Sequence, residues 1–450
     1  DVDLIPDEKD MNALHKFFSY GFIPAPDSPY KFIKKLEPGH SLTFDLITKK
    51  IIKKRYWRFS INPSKKLNFN DASVELWDLL NRSVKERIQA DVPVGVFLSG
   101  GLDSSAVALA AAKNSMEKIK TFSIGFDDNS FDESKYSLEV ANFIKSDHYI
   151  KKFGFDDLKN LIPKINNILD EPISDVSILP TFLVSQAASE KVKVVLGGDG
   201  SDELFAGYAP FKALRYAQFF SNLMPEKLRT SIHNTSTLLP VKHNYFSLDF
   251  KIKRFLYGLK HSPSLWNQTW ITQIYKEDLS EIFNQKIEYE NVFSDSIREW
   301  NSSSSDNIFD KSLEFYTNFY LQNILMKVDR SSMINSIEVR SPFLDNKIVD
   351  FAQSLPFNYK LRNGRTKMIL KKSLKNKLPK KIIYRSKQGF TLPISKWLLN
   401  RSLFKMTFGK NFINNRVVNK IYEKHINKHS DERLSLWSLF VSKDILKSDK

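Results

Sequence analysis

Val94-Gly95-Val96-Phe97-Leu98-Ser99-Gly100-Gly101-Leu102-Asp103-Ser104-Ser105 runs from a short apolar stretch through a glycine turn into an alanine-rich segment. Val94–Leu98 predicts a buried strand and Ser104–Ala112 a helix, with Ser99-Gly100-Gly101 as the link. Glycines let the backbone approach an anion closely, and a helix start offers unpaired N–H groups and a positive dipole end. The serine hydroxyls add donors. Asp103 sets a carboxylate beside the place a phosphate would take, which makes electrostatic sense only with a cation such as Mg²⁺ between them. The stretch reads as a phosphate loop. It is not a Walker A loop, because the Gly-Lys-Ser/Thr ending is missing.

The pattern repeats outward. Thr121–Phe126 predicts a second strand, Tyr136–Ile144 a helix, the region Thr181–Lys191 another helix, and Lys193–Leu196 a further buried strand. Strands alternating with helices give an α/β fold class, a parallel twisted sheet flanked by helices with ligands at the carboxyl ends of its strands. Ahead of this lies an amphipathic stretch, Asp71–Ala90, with Val74, Trp77, Leu80, Val84 and Ile88 at helical spacing. From Pro210 onward the strand signal fades and a mainly helical C-terminal part is expected. The opening residues, 1–62, hold a short helix (Met11–Tyr20), a Pro24-Ala25-Pro26 turn and two extended runs, Ser41–Phe44 and Ile51–Phe59. They are too few to bury a core alone and read as the remnant of a larger preceding domain.

The composition bounds these readings. A chain of 450 residues with 42% hydrophobic and 26% charged residues is an ordinary globular protein. At roughly 100–200 residues per domain it has room for two or three domains. Cysteine is absent, which excludes disulfides, thiolate metal sites and a cysteine nucleophile, and fits a reducing compartment. No apolar run reaches the ~18 residues that span a bilayer, so a soluble cytoplasmic chain without a membrane partner is expected. Basic residues outnumber acidic ones 68 to 51, and between Lys360 and Lys387 there are twelve Lys and Arg and no Asp or Glu. Such a run serves a polyphosphate ligand, a nucleic acid or plain solvation. It lacks the interleaved aromatics of a strand-stacking platform, so nucleic acid is not the favoured partner.

A second loop, Gly197-Gly198-Asp199-Gly200-Ser201-Asp202-Glu203, directly follows a predicted strand. Three carboxylates so close together repel unless a metal or a cationic substrate group neutralises them. On its own the run reads equally as an acidic surface loop. Beside the first loop in one sheet it reads as a metal site, with Asp103 and Asp202 sharing the magnesium of a triphosphate.

Ser-Gly-Gly-Leu-Asp-Ser resembles the pyrophosphate loop of the N-type ATP pyrophosphatases. With Gly-Asp-Gly-Ser-Asp-Glu-Leu-Phe-Ala-Gly-Tyr it is similar to the synthetase domain of glutamine-hydrolysing asparagine synthetases. Further motifs follow in that family's order: Asp170-Glu171-Pro172 with Asp175 and Ser177, then Lys327-Val328-Asp329-Arg330-Ser331-Ser332-Met333. After them come Ser336-Ile337-Glu338-Val339-Arg340-Ser341-Pro342-Phe343-Leu344-Asp345 and Arg385-Ser386-Lys387-Gln388-Gly389-Phe390. The resemblance implies an adenine nucleotide alpha-hydrolase-like fold. It divides the chain into the tail of a class II glutamine amidotransferase domain (1–62), an ATP pyrophosphatase core (63–210), a helical variable region (211–310) and a helical part completing the synthetase domain (311–450).

It also implies a carbon–nitrogen ligase with glutamine as amido donor. A carboxylate, aspartate first, attacks the α-phosphate of ATP; pyrophosphate leaves, and ammonia then displaces AMP to give an amide. By resemblance Ser99, Gly100, Gly101, Asp103, Ser104 and Ser105 cradle pyrophosphate, and Asp103 and Asp202 hold Mg²⁺. Leu98, Ile124, Gly197 and Gly198 line the adenosine site, and Lys387 reaches the phosphates. Asp199 and Glu203 belong to the catalytic set, with Glu203 a candidate for reading the acceptor. Arg340 either reads the acceptor or forms a structural ion pair with Glu338 or Asp345. Asp329 and Lys327 read as packing residues at least as readily as site residues, and His425 and His429 as a surface helix.

The chain departs from the family in two ways. The glutaminase domain has an amino-terminal cysteine nucleophile, whereas this sequence begins with Asp1 and has no cysteine. The sequence is then expected either to be truncated or to depend on another source of ammonia, with glutamine hydrolysed by a glutaminase domain outside this chain. Asp199 stands where better-known asparagine synthetases carry glutamate, which opens other acceptors such as the uronic acids of surface polysaccharides. A non-catalytic nucleotide- or nucleic-acid-binding module is the reading of another class, and a homodimer is left open.

Overall fold

The computed structural model describes residues 6–63, 67–127, 132–154, 157, 160–161, 169–243, 247–385, 389, 392–400, 408 and 412–446. The amino-terminal segment starts with helix α1 (Met11–Tyr20), whose N-cap Asp10 accepts from the Ala13 N–H at 3.1 Å. It buries Leu14, Phe17, Phe18 and Tyr20. Tyr20 packs on Phe293 and Phe319, each at 4.9 Å between ring centroids, and its hydroxyl donates to Ser296 Oγ at 2.8 Å. This segment is thus built into the aromatic core of the helical part. The antiparallel hairpin that follows, β1 (His40–Phe44) with β2 (Ile51–Arg55), shows Leu42, Phe44, Ile51 and Ile52 to solvent.

Helix α2 (Phe69–Arg87) is capped by Asn68, whose side chain accepts from the N–H groups of Asn70 and Asp71. It buries Ala72, Leu76, Trp77, Leu80 and Val84. Val74, expected on that face, is exposed. The buried stripe begins instead at the small residues Ala72 and Ser73, where a neighbouring element approaches closely.

Next comes a five-stranded sheet in which every pair is parallel, in the order β5-β4-β3-β6-β7. Its strands are β3 (Val94–Phe97), β4 (Lys120–Phe126), β5 (Asp147–Phe153), β6 (Val194–Leu196) and β7 (Glu338–Arg340). Helices α3 (Leu102–Asn114), α4 (Ser134–Ile144) and α5 (Ile178–Ser189) connect or flank them. The expected parallel α/β sheet is therefore present. Two strands went unread: β5, and β7, which enters from a part expected to be helical. Central strands buried on both faces carry Val96, Phe122, Ile124, Val194, Val195 and Leu196. Helix α3 buries every residue from Ser104 to Ala111, and its alanines let it lie close to the sheet.

Strand order reverses between β3 and β6, since β3 continues to β4 on one side and pairs with β6 on the other. In open α/β sheets such a reversal leaves a crevice at the carboxyl ends of the two strands. The Ser99 and Gly197 loops leave those two ends. No helix among the described residues is long and apolar enough to cross a membrane.

Candidate functional site

The first loop closes on its own hydroxyls. Ser104 Oγ accepts from the Ser99 N–H at 3.2 Å and donates to the Gly101 carbonyl at 3.3 Å, while Ser99 Oγ accepts from the Gly101 N–H at 3.3 Å. Ser105 Oγ is buried with no partner among the described residues. Gly100 has φ +71°, and a Cβ there would lie 2.5 Å from the Ser137 nitrogen at the start of α4. Only glycine fits that turn.

The two loops touch. Ser201, first residue of the one-turn helix α6 (Ser201–Leu204), donates through Oγ to Asp103 Oδ1 at 2.7 Å. A further residue joins them that the sequence reading did not place here: Lys367, at the N-cap of helix α8 (Met368–Ser373), counting α7 as Leu321–Met333. Its Nζ lies 2.7 and 2.6 Å from the Asp103 carboxylate oxygens and 2.6 Å from Asp202 Oδ1. Asp103 and Asp202 thus come close enough to share one cation. Two carboxylates that share an ammonium are a donor set of the hard, oxygen-only kind that magnesium takes, so the residues fit the expected metal.

Close by, Lys327 on α7 donates to Asp175 Oδ2 at 3.0 Å and to Ser177 Oγ. Burial raises the Asp175 pKa, but the Lys327 charge and the Ser177 hydrogen bonds outweigh it and leave Asp175 below the ordinary carboxylate range. Asp199 goes the other way. Burial holds its carboxyl above the usual range; Lys327 opposes this, and Asp103 and Asp202 add to it. Lys327 therefore belongs to the site, beyond the packing role the sequence allowed. The signal was its place in a quoted motif, but charge alone does not mark burial. Glu203 is buried and accepts from the Tyr208 hydroxyl. Tyr208 packs on Tyr316 and Tyr320, the two ends of a π-helical turn that leads into α7.

Other expected residues fall as follows. Leu98 and Ile124 are buried at the carboxyl ends of β3 and β4, and Gly197 and Gly198 follow β6. A Cβ on Gly198 would stand 3.1 Å from the Ser104 nitrogen, so that backbone runs against the first loop. Lys387 lies outside the described residues. Arg385, two residues before it, donates to the Gly100 carbonyl at 3.1 Å, pairs with Glu133 and lies 4.2 Å over the Tyr136 ring. That ties Arg385 to the first loop.

Arg340 does not face the crevice. Its guanidinium donates to Glu338 at 2.7 Å and to the carbonyls of Arg87 and Gln89, both at 2.9 Å. These are the contacts of the structural ion pair, made because β7 is the sheet edge that α2 overhangs. The surface-helix reading of His425 is also corrected: its side chain is fully buried. It lies beside His243 and Asp431, but Nε2 bonds the Ser395 carbonyl and Nδ1 accepts from the Glu432 N–H, so neither nitrogen is open to a metal.

The family model described as asparagine synthase matches residues 75–447. Asparagine synthetase [glutamine-hydrolyzing] 1 of Bacillus subtilis is 29% identical over 444 residues, which cover 96% of this chain and 68% of that protein. A Methanocaldococcus jannaschii protein is 36% identical over 333 residues, covering 72% of this chain and 61% of its own length. Amidase chyE of Penicillium rubens is 27% identical over 423 residues, covering 82% and 60%. The chain thus spans about two-thirds or less of the length of these relatives. A match over most of the chain, joined to two loops meeting at a nucleotide-type switch point, means that the chain belongs to the asparagine synthase family and is an ATP-dependent amide-forming ligase.

Proposed function

We propose that this ligase adenylates aspartate on its side-chain carboxylate and transfers ammonia to it, giving asparagine, AMP and pyrophosphate. The observation that carries the proposal is the meeting of Asp103 and Asp202 on one ammonium, between loops that leave adjacent strands. The loop Ser99–Ser105 holds the pyrophosphate portion of ATP through its backbone and hydroxyls. Leu98, Ile124, Gly197 and Gly198 form the wall for adenosine. Asp103 and Asp202 hold magnesium, which neutralises phosphate charge when bound. Lys387, led in by Arg385, meets the charge that develops on the leaving pyrophosphate. Asp199, Glu203 and Lys327 orient the acceptor, and a carboxylate of Asp199 or Glu203 takes up the ammonia proton while the Lys327 ammonium stays charged. Arg340 supports the sheet edge.

The curated Bacillus relative is named as glutamine-hydrolysing. With no cysteine in its sequence, this chain offers no thiol for that step, so its ammonia comes from a glutaminase unit outside the sequence or from free ammonium. The exposed apolar hairpin β1–β2 is a surface such a unit would cover. A second acceptor class, uronic or other acids, is favoured by Asp199 and by relatives named amidases.

The test is pyrophosphate release from ATP, magnesium and ammonium, with and without aspartate. Release that depends on aspartate and disappears in Asp103→Ala supports the proposal. Release with a uronic acid but not with aspartate moves the activity to the second class, and release unaffected by Asp103→Ala removes the metal assignment.

A further inference from the structure

We propose that Lys367 is a built-in counter-ion that guards the metal position, holding Asp103 and Asp202 together until nucleotide arrives and then turning to the phosphates. The inference rests on the reading of Asp103 and Asp202 as magnesium ligands.

Three observations carry it. First, the ammonium takes both oxygens of Asp103 and one of Asp202, with Ser201 Oγ at 3.3 Å, and the side chain is only 5% exposed. Magnesium coordinates carboxylate oxygens at about 2.1 Å, so two cations on these same oxygens would stand at close repulsive range. Occupancy is one or the other. Second, the fold is shaped around this lysine. Its φ is +53°, a left-handed conformation that costs a side-chain-bearing residue about 1 kcal/mol. Facing it is Gly207, where a Cβ would fall 2.2 Å from Lys367 Cε and 1.8 Å from Asp202 Oδ1.

Third, a destination lies beside it. Lys371 stands within electrostatic reach of Lys212, Arg365 and Lys367. Among the described residues, Lys212, Arg365 and Lys371 form no ion pair. Arg365 also lines, with Arg362, Asn363 and Met368, an opening of about 390 Å³ on the same segment. Cations gathered beside Asp103 fit the phosphates assigned to the Ser99–Ser105 loop, and the unbranched stem of Lys367, already on Asp103, can turn its ammonium toward them. On this account the twelve-cation segment contributes an exchangeable charge as well as a field.

The test reads metal binding rather than turnover. Mn²⁺ binding to the full chain is followed by electron paramagnetic resonance, with and without α,β-methylene-ATP, for the wild type, Lys367→Met and Lys367→Arg. The wild type is expected to bind Mn²⁺ at least about tenfold more tightly with the nucleotide than without it. Lys367→Met should gain at least about tenfold in nucleotide-free Mn²⁺ affinity, because the competing charge is gone, and Lys367→Arg should not. Equal wild-type affinity in both conditions, or a folded Lys367→Met with no gain, overturns the proposal. The phosphates of the nucleotide also bind Mn²⁺, so the nucleotide-free comparison decides the matter, and Lys367→Gln takes the place of Lys367→Met if the latter fails to fold. Asp103→Asn separates the two readings: Mn²⁺ binding with nucleotide that is indifferent to it removes the ligand assignment itself, whatever acceptor the ligase uses.

Discussion

Lys360 offers a charge in the wrong place, and its removal can be worked through. It ends the short helix Phe357–Lys360, is 0% exposed, and donates from Nζ to the Ala352 carbonyl at 2.6 Å. Burial pushes its pKa down from 10.5 to about 7, with Asp310 and Glu314 opposing the change. Between these two values the unfolded chain carries a proton that the folded chain lacks. Folding stability therefore rises with pH from about 7 to about 10.5, by up to about 5 kcal/mol at 1.36 kcal/mol per pH unit, and levels off above. Below about 7 both states are protonated and this residue adds no slope. Lys360→Met removes the ladder and forfeits one hydrogen bond, worth about 1 kcal/mol. Glu314 keeps its ion pair with Arg58. The variant should thus be several kcal/mol more stable than the wild type near pH 7, and the gap should close or invert by pH 10. The assay is urea unfolding followed by tryptophan fluorescence at matched pH from 7 to 10. A protein of this size need not unfold in two states, so the variant-minus-wild-type difference in the first transition is the quantity to read. If the two curves run parallel across that range, the buried amine is protonated throughout and the reasoning fails.

Three further outcomes follow from the site. Gly207→Ala drives a methyl group into Asp202 and Lys367; nucleotide-dependent Mn²⁺ binding should weaken by about tenfold or more while the circular dichroism stays native, and unaltered binding would show that the pair can shift without loss. Lys327→Met leaves Asp175 and Asp199 without their cation, so stability should fall by about 2 kcal/mol at pH 7. Because the Asp175 pKa is depressed in the folded state, the loss should shrink as pH falls through it, and a deficit that grew toward acid would contradict the pairing. Arg385→Ala removes the donor to the Gly100 carbonyl; kcat/KM for ATP in pyrophosphate release should drop about 10- to 100-fold, and an unchanged value would mean that the first loop keeps its shape without Arg385.

The parts of this molecule legible in its sequence are those where local pattern and burial coincide. Strands β3 and β6 sit centrally and read as short continuous apolar runs, while β4 between them and the edge reads through its alternating Phe122, Ile124 and Phe126, and each is followed by a loop or turn that interrupts the run. The edges obey no such rule. Strand β5, Asp147-His148-Tyr149-Ile150-Lys151-Lys152-Phe153, is paired on one side only and carries its charges into solvent. Strand β7 has three residues, and its partner β6 lies more than a hundred residues earlier. The site divides in the same way. Its carboxylates and glycines stand in compact loops whose spacing states their chemistry. Lys327 and Lys367 arrive from distant helices, and a lysine in sequence gives no sign of whether its ammonium ends in water or between two aspartates. Arg340 shows the converse, a prominent charge whose partners are Glu338 on its own strand and backbone carbonyls at a helix end.

The balance of charge in the crevice bears on the choice of acceptor. Asp103, Asp175, Asp199, Asp202 and Glu203 gather around two ammonium groups, those of Lys327 and Lys367. The residual negative charge is partly relieved by the raised pKa of Asp199 and by the Tyr208 hydroxyl on Glu203. Of the basic segment, Lys371 and Arg365 lie near Lys367 and are the cations proposed to meet phosphates. What remains acidic is the part lined by Asp199 and Glu203. An acceptor that is only a carboxylate would be repelled there, whereas one that also brings an ammonium can pair with the excess carboxylate while presenting its own carboxyl to the phosphate. Aspartate has that form and a uronic acid does not. The shorter Asp199 side chain is what speaks for the second acceptor class, so the proposed preference for the amino acid rests on charge rather than on space.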